Sequence, residues 1–256
     1  MRMKILSWNV NGIRAVHKKG FLDWLHEESP DILCIQETKS QVEQLPEELQ
    51  TIEGYTVNYT SAERKGYSGV AIFSKTAPET VQHGLGIPQF DTEGRTQIAD
   101  FGHFLLYSVY FPNGKASAER LNYKMDFYAA FMNHINEARD KGHKIVFCGD
   151  VNTAHQAIDL ARPKQNEDTS GFLPIERAWI DEVVQNGYVD TFREFVKDGD
   201  HYSWWDYKTK ARDRNIGWRI DYHFISDSLR PNLVNAFILD GVLGSDHCPV
   251  GIELEF

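Results

Sequence analysis

The sequence predicts an α/β protein with a mixed β-sheet. Apolar runs at residues 4–8 and 31–36 have the length of strands, and the stretch between them carries apolar residues at helical spacing. The runs at 96–100 and 104–110 are joined by Phe101-Gly102-His103, which is short enough for a hairpin. A strand–helix–strand unit together with a hairpin indicates a sheet that is not purely parallel.

The other strands and the first helix follow the same periodicities. Further strands are predicted at residues 55–59, 69–73, 219–226, 233–239 and 249–255. The first helix contains Phe21, Trp24 and Leu25. It has to end before Pro30, because the residue ahead of a proline is pushed out of the α region.

The clearest helix lies between Ser117, which is suited to its N-cap, and Gly142, which is suited to its end. Its apolar residues recur at spacings of four and three: Leu121, Met125, Tyr128, Met132 and Ile135.

Another helix is predicted at 174–186, with Pro174 in its first turn and Gly187 after its end. Its inward residues are predicted to be Ile175, Trp179 and Val183. The polar stretch 156–172 before it predicts a long irregular loop.

Composition places the chain among ordinary globular proteins. Its 256 residues are 41% hydrophobic, without repeats or low-complexity tracts, so we expect one domain over residues 1–256. No run has membrane length and no signal-peptide pattern is present, and the three cysteines form no CxxC pair. These features favour reduced thiols and a cytoplasmic protein without a membrane partner.

The net charge of −10 argues, taken alone, against a nucleic-acid partner. The charges are clustered, however, because residues 208–219 hold five basic side chains against one acidic. Net charge is therefore a weak guide to what this protein binds.

The stretch KIVFCGDVNTAH at 144–155 carries the first functional signal. A buried strand stops at Gly149 and is followed by Asp150 and Asn152, whose side chains point the same way if the chain stays extended. One can accept a proton and the other can donate hydrogen bonds. An Asx turn that ends the strand is the simpler interpretation of this stretch alone.

The same pattern of a strand followed by polar residues recurs along the chain. The residues concerned are Asn9, Asn11, Glu37, Tyr110, Asn113, Asp150, Asn152, Asp221, Asp246 and His247. Each has a structural explanation by itself, but together they supply complementary chemistry from the ends of different strands.

That chemistry is the chemistry of phosphoester hydrolysis. Glu37 and Asp246, with Asn9 and Asn11, offer hard oxygen ligands suited to Mg²⁺ or Mn²⁺, and zinc-type clusters are absent from the sequence. A carboxylate such as Asp221 would orient His247 and favour its charged form, which can donate to an anionic oxygen. Asp150 could act as general base for a water, while Asn152 and Tyr110 stabilise the developing charge.

The segment 201–219 interleaves aromatic and basic residues. Its aromatic residues are Tyr202, Trp204, Trp205, Tyr207 and Trp218, and its basic residues are Lys208, Lys210, Arg212, Arg214 and Arg219. One interpretation is an exposed loop that its tryptophans, Trp205 in particular, anchor to the core. The other is a nucleic-acid surface. In the second case the cations would meet phosphates and the aromatic faces an extruded sugar or base.

The motifs resemble, in order and over essentially the whole chain, those of the exonuclease III / AP endonuclease family. They are WNVNGIR (8–14), DILCIQETK (31–39), RKGYSGVAIFSK (64–75), EGR (93–95), YFPNG (110–114), CGDVNTAH (148–155), GFLPIERAW (171–179), NIGWRIDY (215–222) and GSDHCP (244–249). The family belongs to the metal-dependent endonuclease/exonuclease/phosphatase superfamily. The resemblance implies a four-layer α/β sandwich of two packed mixed sheets flanked by helices, with the active site at one rim.

The resemblance also implies roles for single residues. Glu37 matches the principal metal ligand, with Asn9, Asn11 and Asp246 around it, and Asp150, Asn152 and His247 could hold a second ion. Asn11 stands where some members carry Asp, so one charge is missing from the metal shell. Asp150 matches the residue that activates water, Asn152 its partner, Asp221 with His247 the Asp–His pair, and Tyr110 the phosphate-side tyrosine.

For DNA, Trp204, Trp218 and Ile220 match a pocket for a flipped abasic deoxyribose. The residues expected along the backbone are Arg14, Lys18, Lys19, Arg64, Lys65, Tyr67 and Lys115. Asn113 is also expected to bind DNA, and Lys208 lies where its loop could enter the duplex. The implied protein is a monomeric Mg²⁺-dependent phosphodiesterase, with Mn²⁺ able to substitute, that acts on double-stranded DNA containing abasic sites or 3′ ends.

The expected reaction is incision 5′ of the abasic site to leave a 3′-hydroxyl, with some 3′→5′ exonuclease or end-cleaning activity. The alternatives are a phosphatase or nonspecific nuclease of the same superfamily, and a DNA-binding module with lapsed catalysis.

Overall fold

The computed structural model describes residues 1–256 as two six-stranded sheets, a two-stranded ribbon and seven α-helices. The strands are β1 (Arg2–Asn9), β2 (Ile32–Gln36), β3 (Thr56–Thr60), β4 (Val70–Ser74), β5 (Thr80–His83), β6 (Thr96–Asp100), β7 (Leu105–Tyr110), β8 (Ile145–Asp150), β9 (Tyr188–Asp190), β10 (Trp204–Trp205), β11 (Gly217–Trp218), β12 (Asp221–Ser226), β13 (Leu233–Ile238) and β14 (Val250–Glu255). The helices are α1 (Ile13–His17), α2 (Phe21–Glu28), α3 (Glu47–Gln50), α4 (Pro88–Asp91), α5 (Ala118–Asp140), α6 (Pro174–Gln185) and α7 (Thr191–Phe195).

Both large sheets are mixed, as predicted. The first has the strand order β13-β14-β1-β2-β4-β3 and the second β5-β6-β7-β8-β12-β9. Each contains one parallel pair, β1 with β2 and β7 with β8, among antiparallel neighbours. β10 and β11 form the separate ribbon.

The two sheets pack face to face and helices cover their outer faces. The layer between the sheets includes Ile5 of β1, Ile72 of β4, Val146 of β8 and Ile225 of β12, all fully buried. On the outer face of the first sheet, α1 and α2 cover a second cluster, and α5 and α6 cover a third on the second sheet. The predicted four-layer α/β sandwich is confirmed.

The two long helices begin and end close to the predicted residues. Oγ of Ser117 accepts a hydrogen bond from the Arg120 amide at 3.3 Å, and Gly142 has the φ of 96° that glycine adopts readily. Pro174 is the first residue of α6. No helix of the chain has the length and apolar character needed to span a membrane.

One inward residue of α6 is corrected. Ile175 is 51% exposed, whereas Trp179 and Val183 are buried as predicted. The buried face runs through Glu176, Trp179, Ile180 and Val183. Ile175 lies beside that face, because Glu176 takes the inward position of the first turn.

The sequence pattern missed β5 and β9. Both are short strands at the edges of the second sheet, and β5 has three exposed residues out of four. In β5 this exposure leaves no alternation of apolar residues, and β9, although buried, has three residues, which are too few to show an alternation. The region 156–172 has no strand or α-helix, only short 3₁₀ turns, in agreement with the predicted loop.

Candidate active site

The inner faces of the sheets change from apolar to polar toward one rim. In β1 and β8, alternate residues point inward, so Ile5 is followed on the same face by Ser7 and Asn9, and Val146 by Cys148 and Asp150. Asn9 and Asp150 are both almost fully buried. The polar residues at the ends of different strands therefore meet in the gap between the sheets.

One cavity of about 220 Å³ opens at this rim. Its lining includes the predicted residues Glu37, Tyr110, Asn113, Lys115, Asp150, Asn152, Trp204, Trp218, Ile220, Asp246 and His247. Ser170 and Gly171, which the sequence reasoning did not select, complete the lining. The predicted hydrolytic residues and the predicted aromatic pocket thus share one space.

Asp221 and Asp150 face the imidazole of His247 from two sides. Nδ1 of His247 lies 2.8 Å from Oδ2 of Asp221, and Nε2 lies 3.9 Å from Oδ2 of Asp150. Burial lowers the pKa of His247, but the charges of Asp221 and Asp150 outweigh it and raise the pKa to about 10. The ring is therefore an imidazolium at neutral pH, which donates through Nδ1 and can donate through Nε2.

Asp150 is a carboxyl group that is costly to ionise here. Burial raises its pKa, His247 lowers it, and the charges of Asp221 and Glu37 raise it again, so the pKa reaches about 7. Near neutral pH the group is divided between its acid and base forms. A carboxyl with such a pKa is suited to take a proton from a water molecule.

Asn152 is fixed against Asp150 by the turn after β8. The Asn152 amide donates to Oδ1 of Asp150 at 2.8 Å, which is the Asx turn anticipated from the sequence, and its Nδ2 donates to Oδ2 at 3.2 Å. Asn113 Nδ2 donates to Oδ1 of Asn152 at 2.8 Å. Gly149 is required before this turn, because a Cβ there would lie 1.8 Å from the carbonyl oxygen of Val109.

Glu37, Asn9, Asn11 and Asp246 form a connected polar set. Asn9 Nδ2 donates to Oε1 of Glu37 at 3.0 Å and to Oδ2 of Asp150 at 2.9 Å, so it joins the two carboxylates. Asn11 Nδ2 donates to Oδ1 of Asp246 at 2.9 Å. With its nitrogen toward both carboxylates, Asn9 acts in this arrangement as a bridge between them.

The ammonium of Lys39 lies against two members of this set, which shows that their oxygens are placed to bind a cation. Nζ of Lys39 lies 2.5 Å from Oε2 of Glu37 and 2.5 Å from Oδ1 of Asn11. Burial raises the pKa of Glu37, but Lys39 and Asn9 lower it, and the net shift is downward. Carboxylate and amide oxygens that stabilise an ammonium suit a hard divalent cation equally well. A buried group of Asp150, Asp221 and His247 also has ligand atoms within 4.8 Å of one another.

Tyr110 is kept as a neutral phenol by its burial and by the carboxylates beside it. Burial raises the pKa of Tyr110, as do Glu37 and Asp150, and Arg95 offsets only part of this. The Arg95 guanidinium lies 4.7 Å from the Tyr110 ring and 5.6 Å from the Tyr67 ring, and donates to the Tyr67 hydroxyl at 2.8 Å. Glu93 accepts from Arg95 at 2.5 Å and from Arg120 at 2.8 Å. The EGR motif thus connects two predicted site tyrosines.

A buried ion pair behind the cavity was not predicted. Lys124 of α5 and Glu176 of α6 are both inaccessible to solvent, with Nζ 2.6 Å from Oε1. Lys124 also donates to the carbonyl oxygen of Asn152 at 2.8 Å, and Glu176 accepts from the amide of Gly171 at 2.6 Å. The pair therefore fixes two walls of the cavity. The signal in the sequence is a lysine at a position of α5 that shares a face with Phe127 and Tyr128.

The aromatic side of the cavity is built by the ribbon β10–β11. Trp204 and Trp218 pack edge to face with 6.4 Å between ring centroids, and Nε1 of Trp204 donates to Oδ2 of Asp246 at 3.1 Å. Nζ of Lys115 lies 5.4 Å from the Trp204 ring and 5.5 Å from the Trp218 ring. Ile220 is buried beneath.

Two members of the segment 201–219 have a structural role. Arg219, predicted to meet phosphates, is 1% exposed and paired with Asp159 at 2.7 Å and Asp190 at 2.7 Å, so that prediction is wrong. Trp205 is 3% exposed and donates through Nε1 to Asn215, so it anchors the segment to the core. Lys208 and Tyr207 are exposed.

The remaining basic residues expected along DNA lie outside the cavity. Arg14, Lys18 and Lys19 line a groove of about 810 Å³ together with Lys39. Arg64 and Lys65 are exposed on another side, where the Arg64 guanidinium stacks 5.3 Å from the Tyr67 ring.

Two mixed sheets that meet in a rim of carboxylates, amides and a carboxylate-paired imidazole define a hydrolase of phosphate esters. The chain belongs to the endonuclease/exonuclease/phosphatase family, whose model matches residues 6–247. The family resemblance seen in the motifs is thereby confirmed.

Individual relatives are similar over nearly the full length of the chain. An exodeoxyribonuclease of Bacillus subtilis (strain 168) is 46% identical over 97% of this chain and 98% of its own length. The DNA repair nuclease APEX1 of Danio rerio is 42% identical over 98% of this chain and 82% of its own length. The solved AP endonuclease of Archaeoglobus fulgidus has a TM-score of 0.89 and 30% identity, covering 99% of this chain and 100% of that one.

The buried Lys124–Glu176 pair predicts how substitutions of its two members change the free energy of unfolding. Lys124→Met should lower the free energy of unfolding by about 3–5 kcal/mol, because Glu176 would keep an uncompensated buried charge. The double variant with Glu176→Gln should recover part of the loss. Urea unfolding measures both, with Lys141→Met on exposed surface beyond the end of α5 as a control expected within about 0.5 kcal/mol. A loss under about 1 kcal/mol for Lys124→Met would contradict the assignment.

The contacts of His247 predict its protonation state, which can be measured. Nitrogen NMR should show His247 protonated at neutral pH and losing its proton near pH 10. Because the folded-state pKa is raised, the stability it confers is complete below about pH 6.5 and is lost as the pH rises toward 10. Asp221→Asn removes the largest raising charge, so the transition should move to lower pH. The signal of exposed His26 serves as reference, and an unmoved His247 transition would refute the pairing.

Proposed function

We propose that the chain is a Mg²⁺-dependent DNA repair phosphodiesterase that cuts 5′ of abasic sites and leaves a 3′-hydroxyl. Processing of 3′ ends by the same centre would give a 3′→5′ exonuclease activity. The observation that carries the proposal is the shared cavity, where Trp204, Trp218 and Ile220 face Asp150 and His247. We further propose that residues 1–256 act as one catalytic domain and as a monomer.

The hydrolytic step is assigned to the residues of the rim. Asp150 would accept the proton of a water molecule that attacks phosphorus, and Asn152, held by Asn113 and Asp150, would orient that water. The bond from phosphorus to the 3′ oxygen breaks, and this oxygen leaves as the hydroxyl after taking up a proton. Nε2 of His247 and the neutral hydroxyl of Tyr110 would donate to the non-bridging oxygens.

Glu37, Asp246 and Asn11 would hold the divalent ion, with Asn9 keeping Glu37 in place. A bound Mg²⁺ would stabilise negative charge on phosphate oxygens, and Mn²⁺ would substitute because it prefers the same oxygen ligands. Asn11 supplies an oxygen without a charge. Asp221 and Asp150 favour the charged form of His247, so the ring would have to lose a proton before it could hold a second ion.

The pocket would select a nucleotide that lacks its base. Its walls are indole rings and the Ile220 side chain, and the Trp204 Nε1 hydrogen is already donated to Asp246. Such apolar walls would favour an extruded deoxyribose over an intact nucleotide, because the Ile220 side chain and the Trp204 indole offer no free hydrogen-bonding group to the edge of a base. The nearby ammonium of Lys115 would meet the flanking phosphate.

The overall negative charge does not oppose this proposal. Arg14, Lys18 and Lys19 line one groove beside the rim, and Arg64 and Lys65 are exposed elsewhere. Clustered cations of this kind would bind phosphates on either side of the extruded nucleotide. Exposed Lys208 would approach the duplex at the pocket.

The first test is incision of a labelled duplex with one abasic site. The protein with Mg²⁺ should cut 5′ of the site and leave a 3′-hydroxyl, and EDTA should abolish the reaction. Asp150→Asn should reduce kcat by about 10²-fold or more while binding of the duplex persists. Absence of metal-dependent incision would overturn the proposal. Unchanged turnover in Asp150→Asn would exclude this carboxyl as the base.

The pocket generates a separate prediction. Trp218→Ala should lower kcat/KM for the abasic duplex by about 10- to 100-fold, because one wall of the sugar pocket is lost. Hydrolysis of a small p-nitrophenyl phosphodiester, which has no extruded sugar, should change by less than about twofold. Equal losses on both substrates would favour a general phosphoesterase instead.

A further inference from the structure

Lys39 contacts two of the three residues assigned to the metal, Glu37 and Asn11. Its Nζ lies 2.5 Å from Oε2 of Glu37 and donates to Oδ1 of Asn11 at 2.5 Å. Because Asn11 is neutral, this ammonium compensates one of the two formal negative charges that Glu37 and Asp246 provide. An ordinary surface ion pair contributes little and needs no fixed position, so the backbone around Lys39 is informative.

The chain holds Glu37 and Lys39 rigidly on the same side. Both have left-handed backbone conformations, with φ of 55° and 50°, which are uncommon for residues other than glycine. The Lys39 amide donates to the Ser68 carbonyl at 2.8 Å and the Thr38 amide to the Gly69 carbonyl at 3.1 Å. A Cβ on Gly69 would lie 2.2 Å from Oγ1 of Thr38, so the close contact between the segments that carry Thr38 and Gly69 depends on this glycine.

Lys39 also belongs to the basic groove beside the rim. Its side chain is 36% exposed and lines the groove with Arg14, Lys18 and Lys19. A change of rotamer in this long side chain would carry the ammonium from Glu37 to the groove without moving the backbone. Lys39 thus borders two environments, the carboxylate of Glu37 and the surface proposed for DNA.

We propose that Lys39 is a displaceable counterion that couples metal binding to DNA binding. Without a metal it neutralises Glu37 and competes with the incoming ion. When the ion binds, the ammonium is released to the groove, where it meets a backbone phosphate. Bound metal then raises the affinity for DNA, and bound DNA raises the affinity for the metal by the same factor, because coupling between two ligands is reciprocal. The DNA half rests on the proposed function, whereas the metal half rests only on the metal ligands assigned there.

The metal half is tested on the protein alone. Mn²⁺ binding followed by electron paramagnetic resonance should be about tenfold tighter in Lys39→Met than in the unmodified protein, because the competing cation is gone. Lys18→Met removes a cation from the same groove without touching Glu37 and should stay within about twofold. Lys39→Gln serves as a second variant, with circular dichroism as the check on folding. Unchanged or weaker Mn²⁺ binding in both Lys39 variants overturns the proposal.

The DNA half is tested with Asp150→Asn present throughout, which prevents turnover. Affinity for a duplex with one abasic site is measured by fluorescence anisotropy with Mn²⁺ and with EDTA. The affinity for the duplex should be about tenfold higher with Mn²⁺ than with EDTA when Lys39 is present. In Lys39→Met this difference should fall below about twofold. An equal ratio in both proteins overturns the coupling. No binding of the duplex under any condition, with the Mn²⁺ result intact, would overturn the proposed function and leave the counterion role supported.

Discussion

The site depends on the register of three neighbouring strands. In the second sheet, Tyr110 of β7 pairs with Asp150 of β8, which pairs in turn with Asp221 of β12. The three residues form one row across the sheet, and all point toward the first sheet. A shift of one residue in any strand would turn its member to the outer face, beneath the helices. Apolar inner residues farther along the strands oppose such a shift, since Val146 and Ile225 would leave the layer between the sheets with it.

This arrangement concentrates like charges where water is scarce. Asp150 and Asp221 are at most 2% exposed, and burial of a carboxylate costs several kcal/mol unless it is paired. His247 compensates both, while Asn9 and Asn152 donate to Asp150. The centre is stable because its partners are fixed by the same rim. Burial and the neighbouring carboxylates raise the pKa of Asp150 further than His247 lowers it, and this raised pKa makes Asp150 suitable as a base.

The sequence predicted the parts of the structure that periodicity controls. Short apolar runs located β1, β7 and β8, and alternation located β12. The polar residues at the ends of these strands, Asn9, Asp150 and Asp221, lie close together as expected. The sequence pattern could not reveal that Asp159 and Asp190 neutralise Arg219, because those acids come from distant segments. The same limit hid the Lys124–Glu176 pair and the contacts of Arg95. The predicted inward position of Ile175 was wrong because Glu176 takes the buried face of the first turn. Glu176 is buried there because it accepts a hydrogen bond from the preceding loop, a contact that the helical periodicity does not show.

The hydrogen bonds around β1 have a consequence for the order of folding. Nε1 of Trp8 donates to the carbonyl oxygen of His247, and Oγ of Ser245 donates to that of Asn9, across separations of 239 and 236 positions. The entropy of closing so long a loop is lost before these bonds compensate it, and contacts of this kind slow folding. Hairpins such as β6–β7 can form early and independently. We therefore expect the rim that carries Asp246 and His247 to assemble late, because a chain with only its local contacts in place has no complete hydrolytic centre.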